Sequence, residues 1–458
     1  MCKIDLQINI PVQVQYILNK LESNGYEAYI VGGCVRDSLL LIKPHDYDIA
    51  TSAKPEEIIR LFKHEKTIPT GLQHGTVTVV LNEESYEITT FREDGAYSDN
   101  RHPDSVKFVT DIKSDLSRRD FTINAMAYNP KTGLIDPYGG ARDLSNKTIR
   151  CVGVAKDRFS EDPLRILRAI RFSVTYGFTV ELGTEYEIHR HKDKLINISK
   201  ERIRDEFCKM VSSVSGSKRL LMYGDVLSVF IPELKEAIYF DQKNPYHDYD
   251  VYEHSILALN SCYVQVMILR LAIFFHDIGK PYCYQDGEDG VRHFKGHGKV
   301  SADLTNSIMK RLKFDNDTRE KVVQLVFYHE ATLVKNKSNI KRWLNNIGEE
   351  QFRRLCLLRI CDLYGQKLDG NYNSDRINEI YDISTMINNI LSEQECFSLK
   401  DLAINGNDVK VCMHINEGKE IGQWLQRILS LVIDGDLKND KEELIRYMTG
   451  VSDGWIKP

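Results

Sequence analysis

Asp46 and Asp48 stand one residue apart in the run HDYDIA at residues 45–50, a stretch with strand character. In a strand, side chains at i and i+2 project from one face, so the two carboxylates would sit side by side. A pair held that way can grip one or two Mg²⁺ ions, the arrangement that activates an attacking hydroxyl and neutralises a triphosphate as it breaks. Upstream, Gly32-Gly33-Cys34-Val35-Arg36-Asp37 follows the apolar run Ala28–Val31 and reads as strand, glycine turn and helix. Such a turn lets backbone N–H groups approach phosphate oxygens at a helix N-terminus. Taken singly, either feature describes equally well an ordinary α/β turn or a solvated acidic strand.

The elements that must position these groups are legible nearby. Residues 12–24 read as an amphipathic helix ended by Gly25, residues 27–31 as a strand, and residues 55–63 as a helix with Ser52 or Thr51 as N-cap and Pro55 in its first turn. Strands follow at Thr76–Leu81 and residues 86–92, the second placing Glu87, Thr89 and Phe91 on one face. Glu87 is then a third metal carboxylate if its strand lies beside that of Asp46. Residues 93–106 are polar and turn-rich, a lid beside a candidate site, with Arg92 and Arg101 available to phosphates or to an acceptor strand.

The 458 residues can bury several cores. No window approaches eighteen apolar residues and the N-terminus lacks a signal-peptide pattern, so a cytoplasmic protein without membrane contact is expected. Ten cysteines without a CxxC pair read as buried reduced thiols, Cys356 and Cys361 among them. The net charge of −5 does not decide on a nucleic-acid partner, because a basic stripe can coexist with an acidic whole.

The run RRDFTINAMA at residues 118–127, taken with GGCVRD and DYDIAT, resembles the class II branch of the tRNA nucleotidyltransferase and bacterial poly(A) polymerase family, and within it the CCA-adding enzymes, which rebuild the CCA end of tRNA from CTP and ATP without a nucleic-acid template. The resemblance implies that Arg119, Asp120 and Asn124 lie near the nucleotide's sugar and phosphates. Asp120 and Asn124, four apart and on one face if helical, would sense the ribose 2′-OH; alternatively Asp120 caps a helix and Asn124 bonds a neighbouring turn. Residues 136–144, DPYGGARDL, match the family's hinge between head and neck, where the glycines serve rotation or a tight turn.

Residues 161–172, EDPLRILRAIRF, carry the specificity argument. Asp162 before Pro163 is a good N-cap. Cytosine and adenine both present an exocyclic NH₂ beside a ring-nitrogen acceptor, whereas uracil and guanine present a carbonyl beside an N–H. A carboxylate and a guanidinium at i and i+3 pair with C or A and leave both partners unmatched against U or G. Asp162 and Arg165 fit, and the resembling family selects its base with this pair. Arg168 and Arg171 would meet phosphate or solvate a helix face. Residues 199–207, SKERIRDEF, match a further family motif, in which Glu201, Arg202 and Arg204 are read as helix-stabilising charges.

A second constellation follows: His254, His276-Asp277, His293, His297, His329 and Asp362. It resembles the HD superfamily, which implies a divalent metal held by His254, His276, Asp277 and Asp362 and phosphohydrolase chemistry on phosphates or 2′,3′-cyclic phosphates; imidazole with carboxylate suits a transition metal. Residues 402–408 and 418–422 resemble the family's tail motifs, where helices hold the tRNA elbow. Lys335, Lys337, Lys341 and Arg342 form a basic cluster that would meet a nucleic-acid backbone or solvate a face.

The expected architecture is α+β: a nucleotidyltransferase palm with a mixed sheet at 1–145, then an all-α neck at 146–215, an HD-bearing body at 216–370 and a tail at 371–458. The expected reaction is attack of a tRNA 3′-OH on the α-phosphorus of CTP, twice, then of ATP. Asp46 and Asp48 hold Mg²⁺, Gly32, Gly33 and Arg36 meet the triphosphate, and tRNA is engaged at its 3′ end and elbow without an obligate protein partner. Three alternatives stand beside it. A poly(A) polymerase lacks support from an arginine-rich tail. A CC- or A-only enzyme is disfavoured by the uninterrupted loop at 93–106. An HD phosphohydrolase with a degenerate palm is opposed by the intact carboxylate pair and EDxxR run.

Overall fold

The computed structural model describes residues 8–95, 97, 104–214, 216–245, 247–366, 374–416, 418–453 and 455. The chain forms two compact units, one running to Lys235 and including Arg311–Lys313, the other comprising Glu236–Lys310 and the residues from Phe314 onward. Arg101 lies outside the described residues.

The first unit is built on a mixed seven-stranded sheet of β1 (Ala28–Val31), β2 (Ile49–Thr51), β3 (Lys66–Gly71), β4 (Thr76–Leu81), β5 (Glu84–Thr90), β6 (Ala127–Asn129) and β7 (Gly133–Ile135), ordered β3-β4-β5-β2-β1-β6-β7. β1 is central and wholly buried, which accounts for its unbroken apolar run. It pairs antiparallel with β2 and β6, while β2 pairs parallel with β5 through Ile49 and Ile88. In β5 Tyr86, Ile88 and Thr90 face inward and Ser85 and Glu87 outward, the period of two that a half-covered strand needs. Phe91 falls beyond the strand end and is buried against Tyr29.

Helix α1 (Val12–Glu22) buries Val14, Ile17, Leu18 and Leu21, one stripe at helical spacing. The helix closes before Gly25, whose φ of +84° turns the chain into β1. The helix Pro55–Leu61 starts with Pro55 as expected but is not capped by Ser52 or Thr51. Glu57 reaches back to the Lys54 N–H instead, and Thr51 and Ser52 spend their hydroxyls on the backbone of Glu27, tying β2 to the entry of β1.

Behind the sheet come mostly helices, including α2 (Ala155–Glu161), α3 (Leu164–Tyr176), α4 (Leu182–His191) and α5 (Lys200–Val211). Phe172 of α3 meets Phe121 edge-on at 5.7 Å. The hinge segment opens a short helix, Gly140–Ser145, whose first amides are taken by Asp136 at 2.7 and 2.9 Å. A Cβ on Gly140 would lie 2.2 Å from the Thr122 carbonyl, so the glycine there serves close packing.

In the second unit α6 (Val251–Ser261), α7 (Met267–Phe275), α8 (Asn316–Tyr328) and α9 (Glu349–Gly365) pack together. The last helices close over a core that includes Ile428, Leu429, Leu444 and Met448. The basic cluster is neutralised within this unit: Lys335 pairs with Asp382, Lys337 and Lys341 with Glu395, and Arg342 with Asp434, at 2.5 to 2.7 Å. Among the described residues every cysteine is a free thiol, and no helix is long and apolar enough to cross a membrane.

Candidate active site and a second histidine cluster

Asp46 and Asp48 do not lie within a strand: β2 begins at Ile49, and the pair occupies the segment leading into it. The Val31 N–H to Asp48 carbonyl bond, 3.0 Å, carries the ladder to Asp48, so its carboxylate is held at the sheet's end. Because Ile49 pairs in parallel with Ile88, the residue before each, Asp48 and Glu87, stand next to one another. Burial raises the Glu87 carboxyl above its ordinary range, and the charges of Asp48 and Asp46 add to this. Burial likewise raises Asp48, helped by Asp46 and opposed by Arg119. Asp48 and Glu87 offer carboxylate oxygens that fit a hard divalent cation such as Mg²⁺, whereas Asp46 is largely exposed, with its Oδ1 3.0 Å from His45 Nδ1.

Gly32 has φ +77°, and a Cβ there would lie 2.6 Å from Nη1 of Arg119. The positive φ calls for glycine, and a side chain there would displace the Arg119 guanidinium packed on the turn. Arg36, expected at a phosphate, is buried and bonded inside the protein: Nη1 donates to Asn124 Oδ1 at 2.6 Å and Nε to Asp37 at 2.9 Å, with Phe172 and Tyr176 rings 5.0 Å away. Asn124 donates to Asp120 Oδ1 at 2.9 Å, and Arg168 donates to Asp120 Oδ2 through Nε at 2.8 Å and Nη2 at 2.6 Å. Burial acts to raise the Asp120 carboxyl, but Arg168, the Asn124 bond and Arg165 outweigh it and hold the group well below its ordinary range.

Asp120 and Asn124 thus meet as the sequence anticipates, on a different backbone. The segment is not an α-helix: Phe121 is extended and bridges to Cys151, and only Thr122–Asn124 makes a single 3₁₀ turn. Asp120 takes its own neighbour's N–H, Phe121, at 2.8 Å.

Asp162 caps α3 as its Pro neighbour suggests, Oδ1 accepting the Leu164 N–H at 3.0 Å. Its Oδ2 accepts Arg202 Nη2 at 2.8 Å. The Arg165 guanidinium donates to Glu161 at 3.1 Å and to the Arg118 carbonyl at 3.0 Å, so it is held from two sides, and the Arg165 N–H donates to the Asp162 carbonyl at 3.0 Å. Arg202 is the residue that sequence reasoning undervalued; its motif was visible, but its partner lies on another helix. Arg204 bonds Asp205 and the Lys313 carbonyl, and Glu201 is exposed. Arg92 is likewise committed, to the His74 carbonyl and to Asp94.

These groups line one cleft of about 520 Å³. Gly32, Gly33, Arg36, Asp48, Arg119, Asp120, Asn124, Asp162, Arg165, Arg168 and Arg202 all reach it, together with Arg118, Arg171 and Phe172. Seven arginines against three aspartates favour a polyanion.

In the second unit His254, His276, Asp277 and Asp362, the set that the HD resemblance implies, converge. His254 Nε2 lies 3.3 Å from Asp277 Oδ2 and 3.2 Å from Asp362 Oδ1, and His276 Nε2 lies 3.2 Å from Asp277 Oδ2. His297 and His329 join on the far oxygen of Asp277, whereas His293 is exposed on a two-stranded hairpin outside this cluster. Lys280 Nζ, 2.7 Å from Asp277 Oδ2, donates also to Gln242. Two groups of this cluster, His254 with His276 and Asp277, and Asp277 with His297 and His329, bring their ligand atoms close enough to hold a metal ion.

Comparison with known proteins agrees along the chain. Residues 28–150 match the family model described as "Poly A polymerase head domain", 177–238 that described as "Probable RNA and SrmB-binding site of polymerase A", and 297–448 that described as "tRNA nucleotidyltransferase domain 2 putative". A CCA-adding enzyme of Lactobacillus delbrueckii subsp. bulgaricus is 34% identical over 444 residues, covering 95% of this chain and 97% of the relative. One from Bacillus velezensis is 32% identical over 438 residues, 94% and 96% of the two chains. The crystal structure of the Bacillus stearothermophilus CCA-adding enzyme in complex with CTP superposes with a TM-score of 0.73 at 26% identity, over 97% of this chain and 99% of that one. The Thermotoga maritima CCA-adding enzyme complexed with tRNA shares the fold, with a TM-score of 0.60 at 21% identity over 98% of each chain.

Proposed function

The chain belongs to the CCA-adding enzyme family and is a tRNA nucleotidyltransferase, and from that premise we propose that its first cleft adds two cytidylates and one adenylate to the 3′ end of tRNA from CTP and ATP. In each step the terminal 3′ oxygen bonds to the α-phosphorus, the bond from that phosphorus to the bridging oxygen breaks, and pyrophosphate leaves. The observation that carries the proposal is the sharing of one cleft by Asp48, the Gly32-Gly33 turn, Asp162 and Arg165.

Family membership implies a divalent metal, and Asp46, Asp48 and Glu87 are the residues that would hold Mg²⁺. Bound there, it would neutralise charge on the triphosphate and favour loss of the hydroxyl proton. Arg119, packed on Gly32, faces the triphosphate, and Arg36 positions Asn124. Asp120 and Asn124 orient the ribose, with Arg168 holding Asp120 in its ionised form. Asp162 accepts from the exocyclic amine of C or A, and Arg165 donates to the ring nitrogen. Positioning and electrostatics supply the acceleration. The proposal divides the chain into head, neck, body and tail at 1–145, 146–215, 216–370 and 371–458, the tail engaging the tRNA elbow.

The experiment offers the four NTPs singly to the protein with tRNA ending at CC or at the discriminator base. ATP incorporation on the first and CTP on the second, with UTP and GTP refused, is the expected result; indiscriminate use would remove the base-selection reading.

A second reading is favoured by the buried convergence of His254, His276, Asp277 and Asp362: a transition-metal site with accessory phosphohydrolase activity. Retention of a bound transition metal after desalting, lost on His276→Ala, is the matching test.

A further inference from the structure

On α3, Arg168, Phe172 and Tyr176 stand at successive intervals of four and share one face. That face grips two separate runs of the chain. Arg168 donates to Asp120, while the Tyr176 hydroxyl donates to Oδ1 of Asp37 at 3.0 Å. Burial pushes the Tyr176 hydroxyl up to about 12, so it keeps its proton for that bond. The Phe172 and Tyr176 rings stack at 5.9 Å with their planes 19° from parallel, and the guanidinium carbon of Arg36 lies 5.0 Å from each centroid.

Arg36 is thereby fixed from every side. Asp37 takes its Nε at 2.9 Å and its Nη2 at 3.0 Å, the two rings attract its charge through their faces, and Nη1 donates to Asn124 Oδ1 at 2.6 Å. The consequence falls on Asn124. A guanidinium only donates and an ionised carboxylate only accepts, so the amide oxygen of Asn124 faces Arg36 and its nitrogen faces Asp120, 2.9 Å away. Displacing Arg36 would leave that buried oxygen without its donor and loosen the amide. Arg36, Asp120 and Asn124 line the cleft, and an amide nitrogen carries a second hydrogen that a sugar oxygen can accept.

We propose that Tyr176 is a positioning residue for sugar selection: its ring and hydroxyl hold Arg36 and Asp37, and through Arg36 the Asn124 amide, in the orientation that prefers a ribonucleotide to its 2′-deoxy analogue. The proposal rests on the reading that Asp120 and Asn124 orient the ribose, and adds to it the residue that sets them. Tyr176 closes α3, whereas Arg165 and the capping Asp162 stand at its start, roughly 16 Å away along the axis. Sugar choice and base choice are therefore held by opposite ends of one helix.

The test measures kcat/KM for CTP and for dCTP on a tRNA transcript ending at the discriminator base, with the full chain. Tyr176→Phe keeps the ring and removes only the hydroxyl. It should lower the preference for CTP over dCTP about fivefold, on the order of one hydrogen bond's worth, with UTP and GTP still refused. Asp37→Asn, which keeps volume and weakens the hold on Arg36, should act in the same direction. Asn124→Ala should lower the preference further, and adding Tyr176→Phe to it should change the ratio no more, because the two act along one path. An unchanged ratio in Tyr176→Phe beside a lowered one in Asn124→Ala would overturn the positioning role and leave the ribose reading intact. An unchanged ratio in both would overturn the two together. Equal losses with CTP and dCTP, or a base choice blurred to the same extent, would mark a merely structural effect and overturn the proposal.

Discussion

Arg202 Nη2 sits 2.8 Å from Oδ2 of Asp162, so the carboxylate assigned to base selection is aimed by a guanidinium from another helix. Replacing Asp162 with Ala should raise misincorporation of UTP and GTP by about tenfold or more while tRNA binding is retained, because the unmatched carboxylate is what rejects them. Arg202→Ala should lower kcat/KM for CTP and ATP about tenfold through loss of a charge-assisted bond, with partial rescue by Arg202→Lys. Single-nucleotide incorporation kinetics with all four NTPs check both. Unchanged selectivity in the Asp162 variant would contradict the role.

Asp48→Ala should abolish nucleotide addition, a loss on the order of 10³-fold or greater, with metal-dependent nucleotide binding weakened. The second unit does not use this carboxylate, so any phosphohydrolase activity should persist. Glu87→Gln, which keeps volume and removes charge, should weaken Mg²⁺ dependence and shift the metal titration to higher concentration.

Gly32→Ala combines backbone strain at φ +77° with a Cβ 2.6 Å from Arg119. It should cost about 1–2 kcal/mol of stability and raise KM for both nucleotides, since Arg119 must move away from the turn. Thermal melting and steady-state kinetics measure the two effects separately.

The Asp120 and Arg168 pair sets an acid limit. Asp120 is held below its unfolded value, so the pair's stabilisation is complete above about pH 4 and is lost as pH falls below that value through the folded one. Asp120→Asn should destabilise by about 2 kcal/mol near neutral pH. That gap should narrow below pH 4, where the unfolded chain's carboxyl takes up its proton while the folded one still holds its charge. Urea unfolding across the pH range checks the sign.

Much of the first cleft was legible because its groups are local. The glycine turn, Asp48 and the Asp162-to-Arg165 spacing each lie within one short run, while Asp46 of the same run stays exposed outside the cleft. What escaped depends on tertiary pairing. The helix expected through Asp120 and Asn124 gave way because Phe121 is pulled into a bridge with Cys151 and buried. Asp46 and Asp48 fall short of their strand because the β2 ladder to β5 begins at Ile49. The charge of Lys335, Lys337, Lys341 and Arg342 is cancelled by acids distant in sequence, which no local reading could pair. His297 and His329 share Asp277 only through the packing of helices, so the second cluster gathers more residues than the four that the HD resemblance implies.

The most direct measurement gives the purified protein a tRNA transcript ending at the discriminator base, with Mg²⁺ and CTP, ATP or both, and resolves products at single-nucleotide length. Two additions with CTP alone, three with both nucleotides and then a halt are the predicted result. A stop at CC with both nucleotides present, a long ladder with ATP alone, or no extension at all would contradict the account.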